Sequence, residues 1–293
     1  MHKAGFVNII GNPNAGKSTL MNALVGEKLS IITYKAQTTR HRIMGIVNGK
    51  DFQIVYSDTP GLVRQPSNKL HLSMMEFVNQ ALGDADIFLL VIDLKDKNQL
   101  DEKAISKIKS SKVPLIIVLN KIDLADMSVQ LSVAADWQKN FPEAEIVPVS
   151  ALKKKNTEKV FDLIQKYLPV HEAFFDKESL SDRTMRFFVS EIIREKILLF
   201  YEQEIPYSCE VYIEEYKEGE NLDKIRAIII VERESQKGII LGNQGKAIKK
   251  LGTEARKDIE EFSGKRIFLD LFVKVDPDWR NNEGKLKHYG YKT

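Results

Sequence analysis

The chain has 293 residues, 43% of them hydrophobic and 29% charged, and a formal net charge of +3. That length exceeds one comfortable core and suits two domains, and the composition excludes a chain disordered over most of its length. The small positive balance gives no whole-molecule electrostatic footprint, so any nucleic-acid site has to be a local patch.

The N-terminus shows no basic stretch followed by an apolar segment, hence no visible signal peptide. From residue 1 to about 169, short apolar runs alternate with stretches of helical spacing. The runs predict strands over Gly5–Ile10, Phe52–Ser57, Ile87–Asp93, Leu115–Asn120 and Ile146–Val149, with helices over Ser18–Val25, Asp101–Ser111 and Thr157–Leu168. Such alternation predicts an α/β domain, a mostly parallel sheet with helices on both faces, whose ligands gather at the carboxyl ends of the strands. The longest apolar run, Ile87–Ile92, is far short of the ~20 residues that span a bilayer.

GNPNAGKS, Gly11 to Ser18, fits G-x-x-x-x-G-K-[ST] between a strand and a helix. Glycines let backbone N–H groups wrap a phosphate, and the helix N-terminus adds partial positive charge. Lys17 reaches β- and γ-phosphates and Ser18 offers an oxygen to Mg²⁺. The contacts expected here run through Gly11, Asn12, Pro13, Asn14, Ala15, Gly16, Lys17, Ser18 and Thr19. DTPG follows the second strand: Asp58 for the Mg²⁺ shell, Gly61 to present its N–H to a γ-phosphate, with Thr59, Pro60 and Leu62 beside them. NKID, with Asn120, Lys121, Ile122 and Asp123, closes a later strand. Asp123 can accept both N1–H and N2–H₂ of guanine, a donor pair that adenine lacks, and an unpaired carboxylate would reject the wrong base by ~10⁴ or more. Asn120 braces the phosphate loop, and the stem of Lys121 lies against the ring. Ser150, Ala151 and Leu152 end the next strand, where a backbone N–H can meet guanine O6. The order phosphate loop, DTPG, NKID, SA resembles the translation-factor-related GTPases, which implies GTP and GDP as ligands.

By that resemblance TYKAQTTRHR, Thr33 to Arg42, is a first switch whose threonine completes the Mg²⁺ shell while a γ-phosphate is present. Relatives keep a threonine immediately before the arginine, which favours Thr39 over Thr38. A second switch begins at Leu62 and runs through LVRQPSNKLH. Small regulatory GTPases hold a water-orienting glutamine where Leu62 stands, and leucine cannot orient water, so intrinsic hydrolysis is expected to be slow. The expected catalytic set is Lys17, Thr39, Gly61 and Asn14. Asn14 matches an asparagine that ligates K⁺ in some related GTPases; a loop-bracing role fits the residue equally well.

After Leu168, LPVHEAFFDKESLSD breaks the pattern and reads as a linker, 170–182. Beyond it the order becomes helix (Arg183–Glu204), strands Cys209–Lys217 and Lys224–Glu234, helices Gln236–Leu241 and Lys246–Phe262, and strand Arg266–Val275. This predicts a second, smaller α+β domain with its tail over 183–293, after a GTPase domain over 1–169. The single cysteine, Cys209, excludes an intramolecular disulfide; in the apolar-rich run SCEVYIEEY it reads as a buried thiol in a reducing compartment. Trp279, Tyr289 and Tyr291 in the tail read as packing aromatics.

GNQG, Gly242 to Gly245, sits between the two helices Gln236–Leu241 and Lys246–Phe262. The α-β-β-α-α-β order is that of a type II KH domain, whose G-x-x-G loop clamps about four nucleotides of single strand. The expected RNA contacts are Gly242, Asn243, Gln244 and Gly245, with Lys237, Lys246, Lys249 and Lys250 for phosphates and Ile240 and Ile248 for the apolar groove.

A phosphate-loop GTPase joined to a KH domain resembles the Era family of bacterial ribosome-assembly GTPases. The likeness is carried by GNPNAGKSTLMNAL, KAQTTRHR, DTPGL, NKID, SEIIREKILLFYEQEIPYS, VERESQKGIILGNQGKAIKKLG and LFVKV before a Trp-containing tail. It implies binding to the 3′ end of 16S ribosomal RNA and to the assembling 30S subunit, a cytoplasmic monomer, in some members a peripheral association with the inner membrane, and GTP favouring the RNA-binding arrangement. Two other readings compete: a membrane or cell-cycle signalling GTPase whose KH-like domain docks proteins, and an RNA-modifying enzyme. No nucleophile, zinc or methyl-donor signature supports the last.

Overall fold

The computed structural model describes residues 1–63, 65–96, 100 and 102–291, apart from the side chain of residue 103. Arg64 of the expected second switch, Asp101 at the head of a predicted helix, and Lys292 and Thr293 at the end of the predicted KH segment lie outside the described residues. The chain divides into two compact units, one of Met1–Ser30, Thr39–Pro66 and Met74–Asp182, the other of Ile31–Thr38, Ser67–Ser73 and Arg183–Thr293.

In chain order the first elements are β1 (Lys3–Ile10), α1 (Lys17–Val25), β2 (Ile43–Asn48), β3 (Phe52–Asp58), α2 (Lys69–Gly83), β4 (Ile87–Asp93), α3 (Glu102–Ser110), β5 (Leu115–Asn120), α4 (Met127–Asn140), β6 (Glu145–Val149) and α5 (Thr157–Tyr167). The six-stranded sheet runs β2-β3-β1-β4-β5-β6, parallel except for β2, which pairs antiparallel with β3. β4 and β5 are apolar on both faces because helices cover both, as parallel sheets require. β1 lies between β3 and β4, so the chain leaves it where the strand order reverses, the position at which α/β sheets bind ligands.

Three elements here are additional to the expectation. β2 is short and sits at the edge, α4 has no buried residue, and the start of α2 takes Lys69, Leu70 and His71 out of the expected switch loop. Residues 170–182, read as a linker, are tied down along the open edge of β2. Ile46 N–H donates to the Leu180 carbonyl (2.9 Å), Ser181 Oγ to the Met44 carbonyl (2.6 Å) and Met44 N–H to Asp182 Oδ1 (3.0 Å). A bare edge strand is thereby covered.

The remaining elements are α6 (Met185–Phe200), α7 (Ile205–Ser208), β7 (Glu210–Lys217), β8 (Asp223–Val231), α8 (Glu234–Leu241), α9 (Lys246–Ser263), β9 (Ile267–Val275) and α10 (Glu283–His288). β8 pairs antiparallel with β7 and parallel with β9, giving the expected α-β-β-α-α-β order with α6 stopping short and followed by the single turn of α7. Alternate β8 residues Ile225, Ala227, Ile229 and Val231 meet Val189, Ile193 and Ile197 of α6 and Leu251, Ala255 and Ile259 of α9 in one core. Cys209 is buried in it. The tail packs as expected: Trp279 is buried with Nε1 donating to the Ser208 carbonyl (3.0 Å), Tyr291 is buried against Glu210, and Tyr289 donates to Asp276 (2.9 Å).

Candidate nucleotide and nucleic-acid sites

The loop between β1 and α1 closes on its neighbours through a few small residues. Gly16 has φ +94°, and a Cβ there would lie 2.2 Å from Asn120 Nδ2, so only glycine fits. A Cβ on Gly61 would come within 2.7 Å of Pro13, which holds the DTPG turn against the loop. The buried Asn120 amide ties three motifs together. Its Nδ2 donates to the Ala15 carbonyl (2.9 Å) and its Oδ1 accepts the Ala151 N–H (3.0 Å). Thr59 donates to the Ile9 carbonyl (2.9 Å), and Asn12 to Asp96 (3.0 Å).

Lys17 is buried, with Nζ donating to the carbonyls of Gly11 (3.1 Å) and Asn12 (3.0 Å). Desolvation pulls its ammonium down to about 8, a fall that the charge of Asp58 only partly offsets. A phosphate in the loop would supply the anionic partner this buried cation lacks. Ser18 Oγ donates to Asp58 Oδ2 at 2.6 Å and lies 2.9 Å from Thr39 Oγ1, which is itself 3.4 Å from the same carboxylate oxygen. Burial raises the Asp58 carboxyl above its ordinary value against the pull of Lys17 and Ser18. Its other oxygen, Oδ1, is buried with no hydrogen-bond partner. Two hydroxyls and a carboxylate with one orphaned oxygen form a hard-oxygen set that fits Mg²⁺. Of the two candidate threonines it is Thr39 that joins this set, whereas Thr38 Oγ1 bonds to Thr33 (2.6 Å) and to the Lys35 carbonyl (2.7 Å).

Arg42 is a residue that motif reading left without a role. It is buried, donates from Nε to Ser57 Oγ (2.7 Å), and grips Asp84 with both terminal nitrogens (2.6 and 2.9 Å). It thus fixes the residue before Asp58 from a position three residues after Thr39. Its charge inside TTRHR was the only signal.

At the opposite end of the loop, Asp123 is exposed, free to face a base. Lys121, at φ +66°, pairs with Asp93 (2.6 Å) and donates to the Asn14 carbonyl (2.8 Å). Asn14 is exposed at φ +61°. The Ala151 N–H, in the turn expected to meet guanine O6, donates to Asn120 Oδ1, a buried acceptor that needs a donor; Leu152, next in the turn, is exposed. Leu62 packs with Val78 and Phe88 in the core. Ile122 is buried in the same cluster.

In the second unit, α8 ends and α9 begins around GNQG, with Gly242, Gln244 and Gly245 all at positive φ (+70°, +52° and +72°). Asn243 and Gln244 are exposed, as are Lys246, Lys249 and Lys250, while Lys237 is half-buried. Beside the loop a groove of about 290 Å³ is lined by Ile248, Gly252, Thr253, Arg256, Leu269 and Leu271. Ile240 corrects an expectation: it is fully buried, its carbonyl accepting from Tyr201 (2.8 Å), and it offers no surface to a ligand. Its neighbour Ile239 is 50% exposed. The two differ only in which side of α8 meets the core.

The chain matches the family of 50S ribosome-binding GTPases over residues 6–121 and the KH domain over residues 204–280. GTPase Era of Syntrophus aciditrophicus is 44% identical over 294 residues, covering 99% of this chain and 96% of that protein. The chloroplastic ERA-like GTPase of Oryza sativa subsp. japonica is 43% identical over 295 residues, 99% of this chain and 70% of the relative. Among solved structures, Aquifex aeolicus Era, as a point variant bound to GDP.AlF4-, superposes with a TM-score of 0.95 at 40% identity, covering 99% of this chain and 100% of the other. A complex of Era with MgGDPNP and nucleotides 1506–1542 of 16S ribosomal RNA has a TM-score of 0.95 at 39% identity, with both chains covered in full.

Proposed function

The chain belongs to the Era family of GTPases, and on that premise we propose that it couples GTP hydrolysis to the holding of a ribosomal RNA end. A GTPase domain (1–169) binds GTP or GDP with Mg²⁺; a KH domain with its tail (183–293), reached through 170–182, holds the single-stranded 3′ end of 16S ribosomal RNA during assembly of the 30S subunit. The observation that carries this reading is the Ser18–Thr39–Asp58 cluster and the GNQG loop with its apolar groove in one chain. The relative bound to MgGDPNP and nucleotides 1506–1542 of 16S ribosomal RNA supports both halves.

At the nucleotide, Gly11 to Thr19 wrap the phosphates and Asp123 reads guanine, while O6 meets the backbone of the Ser150–Leu152 turn. Ser18, Thr39 and Asp58 would hold Mg²⁺, which when bound would supply positive charge to the transferred phosphoryl group. Water adds to the γ-phosphorus as the bond to the bridging oxygen breaks, and Lys17, the Gly61 N–H and Thr39 steady the charge that develops. With Leu62 buried in the core, no side chain at that position aligns the water, and turnover is slow without help.

Asn14, exposed on the loop, would supply that help as a ligand for K⁺. Turnover is then at least about tenfold faster in KCl than in NaCl at equal ionic strength, as expected for an added cation near the transferred phosphoryl group. Equal rates leave Asn14 as a loop-bracing residue.

Groove residues Ile248 and Leu271 meet bases, the loop approaches the RNA backbone, and Lys237, Lys246, Lys249 and Lys250 neutralise phosphates. An oligonucleotide of the 16S 3′ end should bind about 5–150-fold more tightly with a non-hydrolysable GTP analogue than with GDP, the usual range for coupled sites. Equal affinities would remove the switch, and absence of binding in both states would remove the RNA reading. The match to the KH family over residues 204–280 disfavours a signalling GTPase that uses this domain for protein docking. No described helix is long and apolar enough to cross a membrane. The protein works as a cytoplasmic monomer, and its hold on the inner membrane, where one forms, is peripheral.

A further inference from the structure

We infer that Arg194, in the second unit, is a positioning residue for the switch threonine of the nucleotide site. This rests on the assignment of Thr39 made above. The segment Ile31–Thr38 belongs to the second unit, and α6 with its end grips it at three points. Arg194 Nη2 donates to the Thr38 carbonyl, Glu195 Oε1 accepts the Ile32 N–H at 3.0 Å, and Lys35 Nζ donates to the Tyr201 carbonyl.

Arg194 has no exposed surface, and its partner one turn earlier, Glu191, is buried too. The pair is bidentate, Nε to Oε1 at 2.7 Å and Nη2 to Oε2 at 2.6 Å, while Nη1 is buried with no acceptor. This is a poor device for stability. Desolvating two charges commonly costs more than their attraction returns, a matched apolar pair is often neutral or better, and an N–H without an acceptor adds to the cost. Beyond its own helix the guanidinium lies near the buried Glu210 and donates a hydrogen bond to the Thr38 carbonyl. That oxygen and the N–H of Thr39 belong to one planar peptide group. Holding the oxygen therefore sets the plane from which the Thr39 side chain departs toward Ser18 and Asp58. Glu191 holds the guanidinium so that it cannot turn away.

The test uses the full chain carrying Glu191→Leu with Arg194→Met, and separately Arg194→Lys. The apolar pair keeps volume but removes the cation beside Glu210, so its thermal midpoint is read first, whereas Arg194→Lys keeps that charge. Affinity for GDP, which has no γ-phosphate for Thr39 to sense, should stay within about twofold. The rate constant for GTP hydrolysis should fall about 10–100-fold, the cost of an ångström-scale misplacement, and Arg194→Lys should recover part of it by still donating to Thr38. Thr39→Ala serves as reference. If Thr39→Ala abolishes hydrolysis while the pair and the lysine variant turn over at the parent rate, Arg194 is structural and the inference is wrong. A parallel loss of GDP affinity would overturn it too. If Thr39→Ala itself hydrolyses normally, it is the switch assignment that fails. Should the pair not fold, the lysine variant decides: a lowered rate at unchanged GDP affinity supports the inference, and an unchanged rate overturns it.

Discussion

Asp123→Asn is expected to weaken guanine-nucleotide binding by ~10³–10⁴ and to transfer the preference to xanthine nucleotides. A carboxylate accepts from N1–H and N2–H₂ together, whereas the asparagine amide offers one acceptor and one donor. One guanine N–H then faces an N–H, and the loss is that of an unpaired polar contact as well as a missing hydrogen bond. Xanthine carries a carbonyl where guanine has its amine, so the amide donor regains a partner. Asp123 is exposed, so the substitution should change folding stability by no more than about 0.5 kcal/mol. Calorimetric titration of the variant with GDP and with XDP checks this. The reversal of preference is what identifies a base reader. Damage to Asn120 would act through the phosphate loop it braces and weaken both nucleotides alike. An Asp123→Asn protein that still binds GDP as the parent does would remove Asp123 from the base site.

The parts of the molecule legible from its residues were those whose physics is local. β4 and β5 announce themselves as apolar on both faces, and Gly16-Lys17-Ser18 sits between strand and helix in a register that a phosphate site requires. Elements were lost where the pattern depends on something distant. β2 is a short edge strand whose pairing with β3 is unseen until both lie side by side, and α4 turns Met127 and Leu131 to solvent, so it has no inward stripe to read. Ile239 and Ile240 are alike as residues, and only packing on the core separates them. The same holds for the buried guanidiniums of Arg42 and Arg194. Arg42 meets Asp84, and Arg194 meets Thr38, 156 residues away, so neither pairing leaves a mark on its own stretch of chain. What sequence carries poorly here is the support of the site rather than its contacts.

Support also decides which glycine of GNQG gives the cleaner test of RNA binding. A Cβ on Gly242 would lie 2.5 Å from the Ala247 Cβ, so any side chain there must distort the start of α9. Loss of binding in such a variant would report a broken loop as readily as a blocked ligand. Gly245 has nothing within 4 Å of an added Cβ. At φ +72° a non-glycine residue costs about 1–2 kcal/mol, with aspartate among the better tolerated. Gly245→Asp therefore keeps the loop, and it sets a carboxylate where RNA phosphates must pass, beside Lys246. Like-charge apposition of this kind costs several kcal/mol, so affinity for the single strand should fall by about 100-fold or more. Gly245→Ala bears the same backbone strain without the charge and should lose less than about tenfold. Binding curves for both variants at one fixed salt concentration, with thermal midpoints beside them, separate the two causes. If the alanine and aspartate variants lose affinity equally, backbone conformation and not approach of phosphate governs the loop. If neither loses any, the single strand is held elsewhere on the domain.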